Sequence, residues 1–259
     1  MNRLLTAIGL IGVAAYLVGW APTPIFLAGA LLFGLLAYWE YSGLVVAQSI
    51  PRPGLLGWLT GLLIIFFPQQ YILPGASIFL LGSFIVALRL NNLRDVLLQV
   101  ACSFMGAFYA FAPWRFAADL RAVSVHLLFF ALALNWVGDS AAYYVGRQFG
   151  KHKLAPRVSP GKSWEGAIAS VLGAVFFGLL YLGHFLPHIP WWQVIVMAAI
   201  ANTAGQLGDL AESALKRGAG VKDSGNLLPG HGGILDRVDS SLFALPVVYV
   251  LYLTSLTLR

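Results

Sequence analysis

The residues best suited to chemistry gather late in the chain. In "NTAGQLGDLAESALKR", Asp209, Glu212, Ser213 and Lys216 stand at i, i+3, i+4 and i+7, so a helix puts two carboxylates, a hydroxyl and an ammonium on one stripe. A solvated helix end would read the same way, but Asp209 still has the apolar "AAIANTAGQLG" behind it. The next stretch, "KRGAGVKDSGNLLPGHGGILDRVDS", spans Lys216 to Ser240 and holds four of sixteen Lys and Arg and three of ten acidic residues. Its glycines let backbone approach a ligand closely. Asp236, Arg237 and Asp239 then open an apolar run, where a helix N-terminus offers free N–H groups and favours anions. Carboxylates among Lys and Arg, with no thiol nearby, suit a hard cation such as Mg²⁺ together with a polyphosphate. His231, flanked by glycines, reads either as a turn residue or as a group for proton transfer or phosphate contact.

Two further clusters precede this one. Asp139 lies within "HLLFFALALNWVGDSAAYYVGRQFG", an expensive place for a carboxylate, and Tyr143 and Arg147 share its helix face at i+4 and i+8. It is a site residue or a structural acid paired with Arg147. The loop "GRQFGKHKLAPRVSPGKSWEG" contains Gly161–Ser163, but a phosphate-binding P-loop requires glycine at 156, where this chain has Pro156. Ser159, Lys162 and Ser163 remain phosphate contacts by type, with Ser163 or a neighbour capping the next helix. Trp164 reads as an interfacial anchor ahead of a base-stacking residue.

The elements that position these residues are membrane helices. Of 259 residues 59% are hydrophobic and 10% charged, against roughly 25% charged in soluble domains. The periodicity and length of the apolar runs predict an all-α polytopic membrane protein with nine spans, near 4–20, 24–46, 54–68, 71–90, 95–113, 123–147, 163–183, 190–215 and 233–257. The third is short, so eight is the alternative. Residues 1–122 form about five N-terminal spans, and 123–259 a catalytic region with loops 147–163 and 216–233. Basic residues collect on one set of loops, which predicts a cytoplasmic N-terminus and charged face, with Arg115, Asp119 and Arg121 on an opposite loop. "WEY", Trp39–Tyr41, reads as an interfacial anchor. The net charge of +6 is spread over short loops, which favours anionic lipid or phosphate partners over nucleic acid. The single Cys102 excludes an intrachain disulfide and a thiolate metal site.

The stretch Ser213–Asp239 resembles the signature of the CDP-diacylglycerol synthases, or phosphatidate cytidylyltransferases: S-x-x-K-R-x4-K-D, a spacer, then P-G-H-G-G-x-x-D-R-x-D. Ser213, Lys216, Arg217, Lys222, Asp223, Pro229, His231, Asp236, Arg237 and Asp239 all match it, and Gly138–Gly166 and Gly205–Ser213 also resemble the family. The resemblance implies transfer of cytidylate from CTP to phosphatidic acid, giving CDP-diacylglycerol and pyrophosphate. It implies a homodimer in the bacterial inner membrane, with its site on the cytoplasmic side. It also implies a Mg²⁺-dependent site with a paired cation, K⁺, and places Asp209 and Asp236 at the metal carboxylates. Asp139 is a further metal candidate, and Arg147, Ser159, Lys162, Ser163 and Ser213 are substrate contacts. Lys216, Arg217, Lys222, Asp223, His231, Arg237 and Asp239 form the expected catalytic set. A cytidylyltransferase for an isoprenoid ether lipid phosphate is the nearest alternative. An ion-coupled transporter is the alternative of another class; no internal repeat supports it.

Overall fold

In the computed structural model, residues 12–228 and 232–257 are described. Helix α1 is described over 12–19. It is followed by α2 (Thr23–Ala47), α3 (Leu55–Phe66), α4 (Gln69–Ala87), α5 (Asp95–Val123), α6 (Val125–Phe149), α7 (Trp164–Phe185), α8 (Trp191–Gly218) and α9 (Leu235–Thr257). Between α6 and α7 the strands β1 (Lys153–Ala155) and β2 (Ser159–Ser163) form an antiparallel pair. Seven of the described helices are long and apolar enough to cross a membrane; α3 is shorter. The chain is thus an all-α integral membrane protein, and most of the first expected span lies outside the described residues. Two compact units partition it: Met1–Ala118 with Leu215–Arg237, and Asp119–Ala214 with Val238–Arg259.

In the first unit, α2, α3 and α5 close on an aromatic core. Tyr38, Tyr41 and Phe111 are fully buried, and Tyr38 meets Trp58 edge-on at 4.5 Å. Their hydroxyls do not stay orphaned: Tyr38 donates to the Ser103 carbonyl at 3.2 Å and Tyr41 to that of Cys102 at 3.1 Å. Helix α3 has 12 residues, about 18 Å of rise, less than the ~30 Å of a bilayer core. Its start and end are pinned to α5: Gly54 N donates to Ser103 Oγ at 2.9 Å, and Arg115 Nη1 donates to the Phe67 carbonyl at 2.8 Å. It therefore runs parallel to α5.

The same contact explains where the expected boundary of the fifth span fell short. Helix α5 continues past 113 to Val123, so Arg115, Asp119 and Arg121 lie in helix and not in a loop. Arg115 is tolerated there because its guanidinium caps the carbonyl end of α3.

Core glycines admit the large rings. A Cβ on Gly61 would collide with the Phe111 ring. Gly61→Ala is expected to cost about 1–3 kcal/mol by overpacking, read as a lower midpoint of thermal unfolding in detergent; an unchanged midpoint would mean the ring has room to move.

In the second unit, α6 and α7 cross through small residues. Gly138, Ala142 and Gly146 on α6 meet Ser170 and Gly166 on α7 and its capping residue Ser163, and a Cβ on Gly166 would lie 3.1 Å from the Ala142 carbonyl. Such close backbone approach is how membrane helices pack without a hydrophobic driving force. Asp139, Tyr143 and Arg147 form the next stripe of α6, so the tight crossing holds them beside the start of α7. A buried amide ladder ties α6 to α8: Asn202 Nδ2 donates to Asn135 Oδ1 at 3.4 Å, and Gln206 Nε2 donates to Asn202 Oδ1 at 2.8 Å.

Candidate active site

The second unit contains a cleft of about 430 Å³, lined by Asp139, Tyr143, Arg147, Lys162, Ser163 and Gln206 among others. That volume is in the range of small-ligand sites. The three residues predicted to share a face of α6 do so, and Arg147 Nη1 donates to the Tyr143 hydroxyl at 3.0 Å. Lys162 reaches the cleft from β2 and pairs with Asp209 on α8 at 2.7 Å. Asp139 is within electrostatic range of both Asp209 and Lys162. Ser213 Oγ donates to Asp209 Oδ1 at 3.3 Å, the i, i+4 contact its spacing predicts. Glu212 is fully buried, so this part of α8 is no solvated helix end.

The polar loop before α7 contains a short hairpin. Lys153 pairs with Ser163 and Ala155 with Ser159. Its base is closed by Trp164 N donating to the His152 carbonyl at 2.9 Å and by the His152 ring and Glu165 Oε1 at 2.6 Å. Ser163 caps α7, its Oγ accepting from Gly166 N at 3.2 Å, as expected. The hairpin fixes Lys162 by backbone pairing, and Ser159 sits half-buried at its far end. Trp164 is exposed.

The first unit contains the second acid and base pair. Lys216 Nζ lies 2.5 Å from Asp236 Oδ1, with both side chains largely buried. Asp236 Oδ2 accepts from Gly233 N at 2.8 Å, from Ser224 N at 3.0 Å and from Ser224 Oγ at 3.0 Å. Gly232, at φ +79°, turns the chain into α9, and a Cβ there would lie 2.7 Å from Asp236 Oδ2. Arg217 Nη1 donates to the Val221 carbonyl at 3.0 Å, closing the end of α8. Lys222, Asp223 and Arg237 are exposed. His231, with Pro229 and Gly230, lies outside the described residues. Asp239 belongs to the second unit, where its Oδ1 accepts from Ser240 N at 2.6 Å.

Sequence reasoning missed Glu40. The anchor reading of Trp39–Tyr41 fails for Tyr41, which is fully buried, and for Glu40, which is 2% exposed. Its carboxylate accepts from Ile234 N at 2.9 Å, Leu235 N at 2.8 Å and Ser224 Oγ at 2.9 Å. The signal was present: an acid inside a 25-residue apolar helix, the criterion that singled out Asp139. The aromatic neighbours masked it.

The chain matches the "Cytidylyltransferase family" over residues 1–255. It is 34% identical to a phosphatidate cytidylyltransferase of Staphylococcus saprophyticus subsp. saprophyticus over 244 residues, 88% of this chain and 92% of that protein. The protein of the same name from Staphylococcus epidermidis is 36% identical over 244 residues, covering 88% and 92%. That of Staphylococcus aureus is 33% identical over 247 residues, covering 90% and 94%.

Proposed function

Because the chain belongs to the cytidylyltransferase family, we propose that it transfers CMP from CTP to phosphatidic acid, giving CDP-diacylglycerol and pyrophosphate. The observation that carries this reading is similarity to proteins named phosphatidate cytidylyltransferase along about nine-tenths of the chain. The geometry is in keeping with it: buried or half-buried carboxylates, each beside an ammonium, on helices of a membrane protein.

Mg²⁺ fits the donor chemistry. The donors are oxygens alone, and Asp139 and Asp209 lie within range of mutual repulsion with Lys162 as the nearby cation. No cluster of three or more His, Cys, Asp or Glu able to hold a metal occurs among the described residues, so the ion would take further ligands from substrate phosphates and water, as Mg²⁺ commonly does. Asp139 and Asp209 would hold it in the second unit; Asp236 is the corresponding carboxylate of the first. K⁺ is proposed as the second cation. When bound, Mg²⁺ neutralises triphosphate charge and makes the α-phosphorus more electrophilic.

The reaction is an in-line displacement. A phosphatidate oxygen forms a bond to the α-phosphorus of CTP, and the bond to the bridging oxygen breaks to release pyrophosphate. Arg147, Ser159, Lys162 and Ser163 bind phosphates, while Lys216, Arg217, Lys222 and Arg237 stabilise the charge that develops. A phosphate monoester is already largely ionised near neutral pH, so no strong general base is required and His231 serves phosphate binding. Asp223 positions Lys222. The enzyme acts as a homodimer in the bacterial inner membrane with this chemistry on the cytoplasmic side.

The test offers purified protein equal amounts of phosphatidic acid and an isoprenoid ether lipid phosphate with CTP and Mg²⁺. Phosphatidic acid is expected to be consumed first. Preference for the isoprenoid lipid would reassign the acceptor. Vesicle flux of an ion-coupled solute, without any CTP-dependent product, would replace the enzyme with a transporter.

A further inference from the structure

We propose that Glu40 is a positioning residue for Asp236: from α2 it clamps the turn that leads into α9 and so fixes the carboxylate one residue beyond that turn. The proposal rests on the catalytic reading of Asp236 given above, but its geometric part stands alone.

A helix leaves its first backbone N–H groups without intrahelical partners, and a side chain just before the helix ordinarily satisfies them. Here the acceptor comes from almost two hundred residues away. Glu40 Oε1 accepts from Ile234 N and Oε2 from Leu235 N, so one carboxylate spans two successive donors at the positive end of α9. Oε2 also accepts from Ser224 Oγ, and that hydroxyl lies 3.0 Å from Asp236 Oδ2. Ser224 has one hydroxyl proton and stands between two carboxylates, while its own oxygen accepts from Asp236 N at 3.3 Å. Glu40 and Asp236 are therefore linked through both the backbone of 234–236 and the Ser224 side chain.

Two glycines of the signature stretch belong to this clamp. A Cβ on Gly225 would come within 2.6 Å of Glu40 Oε1, and one on Gly233 would collide with Glu40 Oε2. Both positions are small because backbone packs directly on the carboxylate. A buried carboxyl group is costly in a membrane helix, and the two backbone N–H groups with the shared Ser224 hydroxyl offset that cost only while the turn keeps its shape. The consequence falls on Asp236. Gly233 N and Ser224 hold its Oδ2, which leaves Oδ1 as the oxygen presented to Lys216. If the clamp loosens, Oδ1 no longer has one fixed direction.

Glu40→Gln keeps the size but replaces one acceptor oxygen with an amide that donates, so one of the N–H groups or Ser224 faces a donor. Ser224→Ala removes only the shared hydroxyl and serves as a second variant should Glu40→Gln not accumulate. Two readouts are compared in the full-length protein in detergent. Amide hydrogen exchange is expected to speed up at least about tenfold across 224–238 in either variant, with α3 and α4 unchanged. Under the transfer assay, kcat is expected to fall at least about tenfold with the KM for CTP within about threefold, as for a group that orients a catalytic residue without touching substrate.

Unchanged exchange at 224–238 overturns the clamp. Faster exchange with unchanged kcat overturns positioning and leaves Glu40 a structural cap. Failure of the functional reading is visible separately, as wild-type protein that makes no CTP-dependent product with any lipid phosphate; positioning for catalysis then falls with it, while the exchange result still decides the clamp.

Discussion

Asp236→Asn is expected to abolish transfer and to destabilise the protein. The carboxylate sits 2.5 Å from Lys216, with side-chain exposures of 6% and 11%, and its other oxygen faces three donor atoms, the Gly233 and Ser224 backbone nitrogens and the Ser224 hydroxyl it shares with Glu40. An amide presents only one acceptor oxygen. Whichever way it turns, its NH₂ faces either the Lys216 ammonium or the three donors. Breaking one side of a buried ion pair costs about 3–5 kcal/mol, because the partner charge is left uncompensated. Unfolding in detergent should therefore move several degrees lower. Transfer should fall by at least about 10²–10³-fold, the scale for losing one preorganised charge-stabilising group. Thermal unfolding and initial rates on the same preparation check both parts; full activity in this variant would remove Asp236 from the site.

Asp209→Asn is expected to cost as much activity and much less stability. Its pair with Lys162 is more open, with side-chain exposures of 31% and 28%, and such pairs are worth roughly 0–1 kcal/mol. The unfolding midpoint should stay near wild type. Transfer should nevertheless drop about 10²-fold or more, because Asp209 lies with Asp139 and Lys162 where cation and phosphate charge would be balanced. The contrast is itself informative: the two signature carboxylates look alike in sequence, and burial alone separates their effects on stability. A large loss of stability in Asp209→Asn with full activity in the folded fraction would reverse the assignment.

The helices were legible because a bilayer demands long apolar runs, and eight of the nine expected spans coincide with described helices to within a few residues at most ends. The end of α5 was not, since Arg115 looks like a loop residue until the carbonyls it caps at the end of α3 are known. Contacts at helical spacing were also legible: Tyr143 with Arg147, and Asp209 with Ser213. Pairs distant in sequence were not. Nothing local joins Lys162 to Asp209 or Glu40 to Leu235, because those contacts are set by tertiary packing. The hairpin at 153–163 was hidden for a related reason, as its strands are three and five residues long and carry no alternating apolar pattern.

A buried acid flanked by aromatic residues is easily read as a membrane-interface belt, which is how Glu40 escaped notice. In the structure Tyr38 and Tyr41 point into the core and not toward an interface. One helix thus supplies both the aromatic packing of the first unit and the carboxylate that caps α9.

The measurement that tests the central claim most directly follows two labels through one reaction. Purified protein is given phosphatidic acid, Mg²⁺ and CTP carrying label on either the α- or the γ-phosphate. Cytidylyl transfer predicts that the α label becomes lipid-extractable while the γ label leaves as pyrophosphate, and that Asp236→Asn stops both. A γ label recovered in the lipid would mean phosphoryl transfer instead, and both labels remaining in unreacted CTP would contradict the account altogether.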